Sequence, residues 1–229
     1  MKKLKKSIIF AAFSLILATA FTSCLDSDSD SDYFTPRVMT DTEANLYLAE
    51  ISGTYSGDLM CSYEDVATGK TGVDTFKVDL TIGYDKTVTV DNMPDALFKR
   101  FIRSNSPVRA IAENATTTHS MSMNIGTFII EEDNSGNTRD KAFYLDAKNA
   151  TYDFDYTSIE DGEPVYYQTT VKFTDYITDP NNPYITYPSF GGYDKTTGTA
   201  VVWFVLESVK AEQSDVRNNA LIVFSGKRR

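Results

Sequence analysis

The sequence predicts an all-β fold: an antiparallel, up-and-down β-barrel of about eight to nine strands with one or two short helices. Three observations carry this. Apolar and polar residues alternate with period two in run after run between residues 53 and 226. Turn residues separate these runs at hairpin spacing, as in "EDVATGKTG" and "GYDK". Only two short stretches show helical spacing instead.

The first of these is "TDTEANLYLAEI". Thr40 with Glu43 three residues later predicts a capping box, and Ala44, Tyr47, Leu48 and Ile51 then share one helical face. After Gly53 the period drops to two. Tyr55, Leu59, Cys61 and Tyr63 share a face with Gly57, while Thr54, Ser56, Asp58 and Ser62 share the other. In "VDTFKVDLTI", Phe76, Val78, Leu80 and Ile82 alternate with polar partners. A sheet with one wet face reads this way. Val88 and Val90 open a third strand. "NMPDALFKRFIRS" predicts the second helix, with Pro94 in its first turn and Leu97, Phe98, Phe101 and Ile102 as an apolar stripe. Residues 104–118 are polar and unpatterned. Strand-like runs return at 121–130, 142–147, 150–158, 165–176, 199–209 and 219–226. "AVVWFVL" is apolar on both faces, which predicts the most buried strand or one lying under a helix. An all-β chain must protect its sheet edges, and closure into a barrel removes them.

The amino terminus is of another kind. Lys2, Lys3, Lys5 and Lys6 precede an apolar run, Ile8–Phe21, of about 14 residues, too short to span roughly 30 Å of hydrocarbon. A basic start, such a run and small residues at its end predict a secretory signal peptide over 1–23. "FTSC" at its end resembles the lipobox of bacterial lipoproteins, although Phe21 stands where Leu or Val is usual. The resemblance implies that Cys24 is lipidated and becomes the first residue, anchoring the protein to a membrane. Asp26, Asp28, Asp30 and Asp32 then alternate with serines. Such a segment cannot bury apolar surface. It predicts a tether over 24–39, with residues 25–39 spanning about 20 Å as a coil and at most about 50 Å. Residues 40–229 form a single domain. An acidic patch after a lipidated cysteine resembles the surface-export signal of Bacteroides-type lipoproteins, which implies an outer-membrane, cell-surface location. The acid run is no calcium loop, because Ser31 and Arg37 stand where an EF-hand loop needs Gly and Glu.

Charge and chemistry narrow the function. Acids outnumber bases 32 to 22, for a net charge of −10, and signal removal takes four lysines away. Such a surface repels phosphate backbones and excludes nucleic acid as a partner. With Cys24 lipidated, Cys61 has no disulfide partner and reads as a buried, inert thiol. "TGKT" at 68–71 is not a phosphate loop, because Glu64 stands where the motif needs Gly and the stretch lies in a hairpin. His119 is the only histidine, which excludes two-histidine zinc sites, and it reads as a solvated residue of a polar loop. No Gly-x-Ser-x-Gly elbow is present. Asp153 and Asp155 lie about 6.6 Å apart along one strand face. That is within the range of a glycosidase pair, but the apolar Tyr152, Phe154 and Tyr156, which alternate with them, mark these aspartates as the wet side. No catalytic residue, metal ligand or cofactor motif emerges.

"DPNNPYITYPSFGGYD" is the most suggestive stretch. Tyr184, Tyr187, Phe190 and Tyr193 lie on an expected long loop stiffened by Pro180, Pro183 and Pro188. Rigid aromatics can stack on a sugar or grip a partner at low entropic cost; otherwise they plug the barrel. "ISGTYSGDL" at 51–59 resembles the opening strand of the calycin-like (lipocalin-like) barrels of uncharacterised Bacteroides-type lipoproteins, although the Gly-x-Trp signature is absent. The resemblance implies an antiparallel barrel able to enclose an apolar cavity. The sequence therefore leads to a membrane-anchored, non-enzymatic binding module for a small apolar ligand or a glycan. The alternative is a structural or interaction subunit of a surface assembly, with a filled barrel and a surface protein as partner. A carboxylate-based hydrolase ranks last.

Overall fold

The computed structural model describes residues 37–132, 138–148, 150–179, 182–212 and 214–229. Cys24, the apolar run and the acid run lie outside these residues. Among the described residues there are thirteen strands: β1 (Arg37–Val38), β2 (Gly53–Glu64), β3 (Thr71–Ile82), β4 (Thr87–Pro94), β5 (Thr118–Glu132), β6 (Thr138–Leu145), β7 (Thr151–Glu160), β8 (Glu163–Thr174), β9 (Tyr176–Asp179), β10 (Asn182–Pro188), β11 (Phe190–Asp194), β12 (Thr199–Ala211) and β13 (Ser214–Arg228). Three short helices join them: α1 (Asp41–Ile51), a 3-10 helix (Asp95–Phe101) and α2 (Pro107–Glu113).

Eleven strands form one antiparallel sheet, eight of which close into a ring in the order β2, β3, β4, β5, β6, β11, β12, β13. Strands β2 to β6 are a plain meander. The ring closes where β13 returns to β2, with Ile222 opposite Cys61, Phe224 opposite Leu59 and Gly226 opposite Gly57. Glycine is required at this seam. A Cβ on Gly57 would stand 2.0 Å from the Ser225 carbonyl oxygen and 2.4 Å from the Gly226 Cα, and backbone cannot give way as a side chain can.

Strand β12 changes partners along its length. Thr199–Trp203 pair with β11, whereas Val205–Ala211 pair with β8. The β7–β8 hairpin therefore leaves the ring at one end. Its turn, Asp161-Gly162, holds both residues at positive φ (52° and 87°), as a two-residue hairpin loop demands. The outer face of β12 is buried too: Trp203 is 5% exposed and Val205 0%. The strand is buried on both sides, as its composition predicts, and both β10 and the 3-10 helix lie close to it.

The ring interior is filled by side chains. Tyr55, Leu59, Phe143, Phe204, Leu206 and Phe224 are all at most 1% exposed. Helix α1 closes one end with the four predicted residues, Ala44, Tyr47, Leu48 and Ile51, all buried. Its capping box is complete: the Glu43 N–H donates to Thr40 Oγ1 and the Thr40 N–H donates to Glu43 Oε2. The Arg37 guanidinium also grips Glu43 at 2.9 and 2.7 Å, which with the Thr40 bonds holds this carboxyl well below the usual range. Arg37–Val38 pair with Ile129 and Phe128 of β5, so the sheet begins inside the expected tether. The 3-10 helix closes the other end. The predicted stripe, Leu97, Phe98, Phe101 and Ile102, is buried, although the helix is tighter than expected and begins after Pro94.

Two segments differ from expectation. Residues 104–118 are not unpatterned coil, because Ser106 caps α2 and Pro107 opens it. The expected long loop at 179–194 is largely strand, β10 and β11. Gly191 and Gly192 erase the alternation that would have marked β11. Gly191 is there for room, since a Cβ would meet the Phe143 ring at 2.2 Å.

Candidate functional site

Strand β11 places Phe190 and Tyr193 three residues apart, on opposite faces. Phe190 is half-buried on the outer face, its ring centroid 5.2 Å from that of Trp203. Tyr193 packs inward at the α1 end, 6.0 Å from the Tyr55 ring. The Arg228 guanidinium lies over both rings, at 5.0 Å from Tyr193 and 5.4 Å from Tyr55, and donates to the Tyr55 hydroxyl at 2.8 Å. Tyr184 and Tyr187 belong to β10, and their side chains lie outside the described residues. The structure does not bring Phe190 and Tyr193 together.

The 3-10 helix end carries two polar clusters that the sequence did not reveal. The first is built on Asp95, whose side chain is fully buried. Its Oδ1 accepts from His119 Nδ1 at 2.9 Å and from the Tyr152 hydroxyl at 3.4 Å, and its Oδ2 accepts from Thr117 Oγ1. Its backbone carbonyl accepts from the Tyr156 hydroxyl at 2.6 Å. Burial pushes the Tyr152 and Tyr156 hydroxyls far above their ordinary pKa, and the Asp95 charge adds to it. His119 is thus not a loop residue. It stands near the start of β5, opposite Met93, with its side chain 39% exposed and its ring against Tyr152 and Phe154.

A carboxylate that fixes the imidazole tautomer through Nδ1 is how catalytic bases are oriented. A nucleophile must then stand on the other nitrogen. Among the described residues His119 has no hydrogen-bond partner but Asp95. The cluster acts as a staple joining the 3-10 helix, β5 and β7.

The second cluster is built on Asp65, 1% exposed, in the β2–β3 loop. It accepts from Arg109 Nη2 at 2.6 Å, Arg100 Nη1 at 3.2 Å and the Ala67 N–H at 2.9 Å. Arg100 Nε reaches Asp74 at 3.1 Å, and Arg109 also donates to the Lys99 and Ile102 carbonyls and to Glu113. Burial raises the Asp65 pKa, but the bonds from Arg109, Ala67 and Arg100 outweigh it and leave the carboxyl lowered. The "TGKT" stretch is held here as a hairpin loop. Both clusters are invisible in the sequence because partners stand 24 and 44 positions apart.

The remaining candidates sit as their alternation indicates. Asp153 and Asp155 are exposed on the outer face of β7, Asp153 accepting from Thr170 Oγ1 at 2.5 Å, while Tyr152, Phe154 and Tyr156 face inward. Cys61 is 1% exposed, and burial, with the Asp74 charge, pushes its thiol far up. A surface groove of about 280 Å³ is lined by Ser56, Gly57, Lys77, Val78, Asp79, Asn92 and Arg229. Arg229 already spans Asp79 at 2.8 and 2.7 Å there. Among the described residues no group of three His, Cys, Asp or Glu side chains is placed to hold a metal ion. Among them, too, no helix is long and apolar enough to cross a membrane.

Comparison with known proteins adds one match. The model of a family described as a domain of unknown function, DUF4840, covers residues 50–211. No curated protein matches the sequence.

Proposed function

The chain belongs to the DUF4840 family, and on that premise we propose that it is a lipid-anchored, non-enzymatic interaction protein of the outer membrane. In this reading Cys24 carries the lipid, the acid run holds the domain off the bilayer and directs it to the cell surface, and the ring is a filled, calycin-like barrel. Tyr55 stands two residues after Gly53, where the lipocalin signature has Trp.

One observation carries the choice between binding inside and binding outside. The ring interior is occupied by Tyr55, Phe143, Phe204 and Phe224, and α1 and the 3-10 helix stopper its ends. Recognition is then left to the surface. The β7–β8 hairpin offers the means: Ile159 (68% exposed) and Tyr166 (63%) lie on its outer face beside Pro164. Asp153 and Asp155 are exposed on the same face, and Asp161 stands at the turn. An exposed apolar contact rimmed by acids fits a protein partner bearing basic groups.

The anchor and the partner are tested separately. Cys24→Ala should move the protein out of the membrane fraction, since burial of acyl chains holds such proteins at about 0.8 kcal/mol per methylene. Retention with no lipid mass on the peptide overturns the anchor. A photo-crosslinking residue at Tyr166 should give a discrete protein adduct on intact cells, lost in Asp153→Lys/Asp155→Lys. No adduct, together with saturable binding of a fluorescent fatty acid to the pure protein, would restore the small-ligand reading.

A further inference from the structure

We infer that β7 is an acceptor strand: its free edge takes up an extended, basic segment of a partner protein as an added antiparallel strand. This rests on the reading of the β7–β8 hairpin as an interaction surface and names the form of the partner.

The backbone sets the edge. Among the described residues β7 pairs with β8 alone. The register is unbroken from Thr151 opposite Lys172 to Glu160 opposite Glu163. One step before it begins, the Phe173 N–H donates to the Ala150 carbonyl at 3.1 Å, which fixes the phase. Even-numbered residues therefore bond to β8, and Thr151, Asp153, Asp155, Thr157 and Ile159 turn their N–H and C=O groups outward. Helix α2 lies near β7, but among the described residues no backbone hydrogen bond joins the two. Such a row binds an extended chain through the main chain, and alternate side chains then select it.

The edge is also open and stiff. Proline, bulges and lysines blunt sheet edges, and the ten residues of β7 contain none of them. From the inner side the Tyr152 and Tyr156 hydroxyls donate to Asp95, at 3.4 Å to its carboxylate and 2.6 Å to its carbonyl. The strand is thus in place before a partner arrives, which lowers the cost of binding. Strand β3 differs. Its residues 71–79 have a strand on one side only, but Lys99 and Arg100 hold Asp74 there and Lys77 guards the edge.

Charge names the occupant. Side chains directly opposite across two strands lie about 5 Å apart, so an added strand meets β7 first. Strand β7 carries Asp153 and Asp155 on its outer face, Glu160 on its inner face, and no base. Asp153 accepts from Thr170, Glu160 accepts from Tyr167, and Asp155 has no hydrogen bond or ion pair among the described residues. The bases of the outer face, Lys172 and Lys210, belong to β8 and β12, about 10 Å or more from an added strand. A second β7 would set its own acids against these, and like charges opposite one another destabilise a pair. A chain with lysine or arginine at alternate positions fits instead.

The test uses the purified protein and a synthetic heptapeptide alternating lysine and valine. Without peptide, the amides of Asp153, Asp155 and Thr157 should exchange with solvent at least tenfold faster than those of Tyr152, Phe154 and Tyr156. Millimolar peptide should slow the first set at least tenfold, and a glutamate–valine peptide should not. In an antiparallel pair the lysines stand opposite Asp153 and Asp155 and turn their own N–H groups to β7. N-methylation at the lysines should therefore weaken binding at least tenfold, and at the valines less than threefold. On cells, Thr157→Pro removes an outward N–H and no bond to β8. It should melt as the wild type does and lose the Tyr166 adduct. No added protection, or equal losses from the two N-methylated peptides, overturns strand addition. Protection that rises with protein concentration alone gives the edge to a second copy and overturns the basic partner. An adduct that persists in folded Thr157→Pro keeps the partner and removes the added strand, whereas protection by the peptide with no adduct on cells keeps the acceptor edge and removes the partner reading.

Discussion

Asp65 shows how much one side chain can hold. Its carboxylate collects two guanidinium groups and a backbone N–H in a site almost closed to water, so the β2–β3 loop, the 3-10 helix and α2 meet on one residue. Removing one partner of a buried pair strands the others, which typically costs about 3–5 kcal/mol. Asp65→Asn should therefore lower stability by that order in denaturant unfolding. The lowered pKa adds a pH signature. A carboxyl depressed on folding contributes stability above its unfolded value, near 4, and loses it as pH falls below that value. The wild-type protein should lose stability on acidification below about pH 4, and Asp65→Asn should lose less over the same interval. An identical acid slope in the two proteins would remove Asp65 from this account. Asp95 and His119 follow the same logic of distance. Nothing in the sequence joins a residue after β4 to one at the start of β5, and only the ring brings them to 2.9 Å.

Elements were legible where side chains alternate without interruption. Helix α1 follows directly from Thr40, Glu43 and its four apolar residues, and β2, β3, β7 and β12 follow from period two. What escaped has physical reasons. Helix α2 is seven residues long, too short to repeat a pattern. Strand β11 has two glycines where its alternation should be, and the closing seam depends on two more. These glycines are unequal, which gives a sharp comparison. Gly57→Ala drives a Cβ into the β13 backbone and should destabilise by at least about 2 kcal/mol. Gly192→Ala meets nothing within 4 Å and should stay within about 0.5 kcal/mol of the wild type. Thermal melts of the two variants check this, and comparable losses would mean that the seam is not close-packed.

At the scale of the molecule, closure decides what is one folding unit. The family match ends at residue 211, but the ring does not. Strand β13, 214–228, lies wholly beyond the match, yet it pairs with β2 on one side and β12 on the other. Removing it opens the ring along two long edges, uncovers the core side chains that Ile222 and Phe224 contact, and takes away Arg228 from the rings of Tyr55 and Tyr193. Exposed flat edges are sites of aggregation, and no other strand can replace β13, because β12 already uses its second edge for β11 and β8. A chain ending at residue 211 should therefore fail to fold: no cooperative thermal transition, rapid proteolysis, and aggregation at micromolar concentration. Deleting residues 24–36 instead should leave the melting temperature within about 2 °C, since so acidic and serine-rich a segment has little apolar surface to bury. If the chain ending at residue 211 melts cooperatively, ring closure is dispensable, and β13 is an addition to a fold that stands without it.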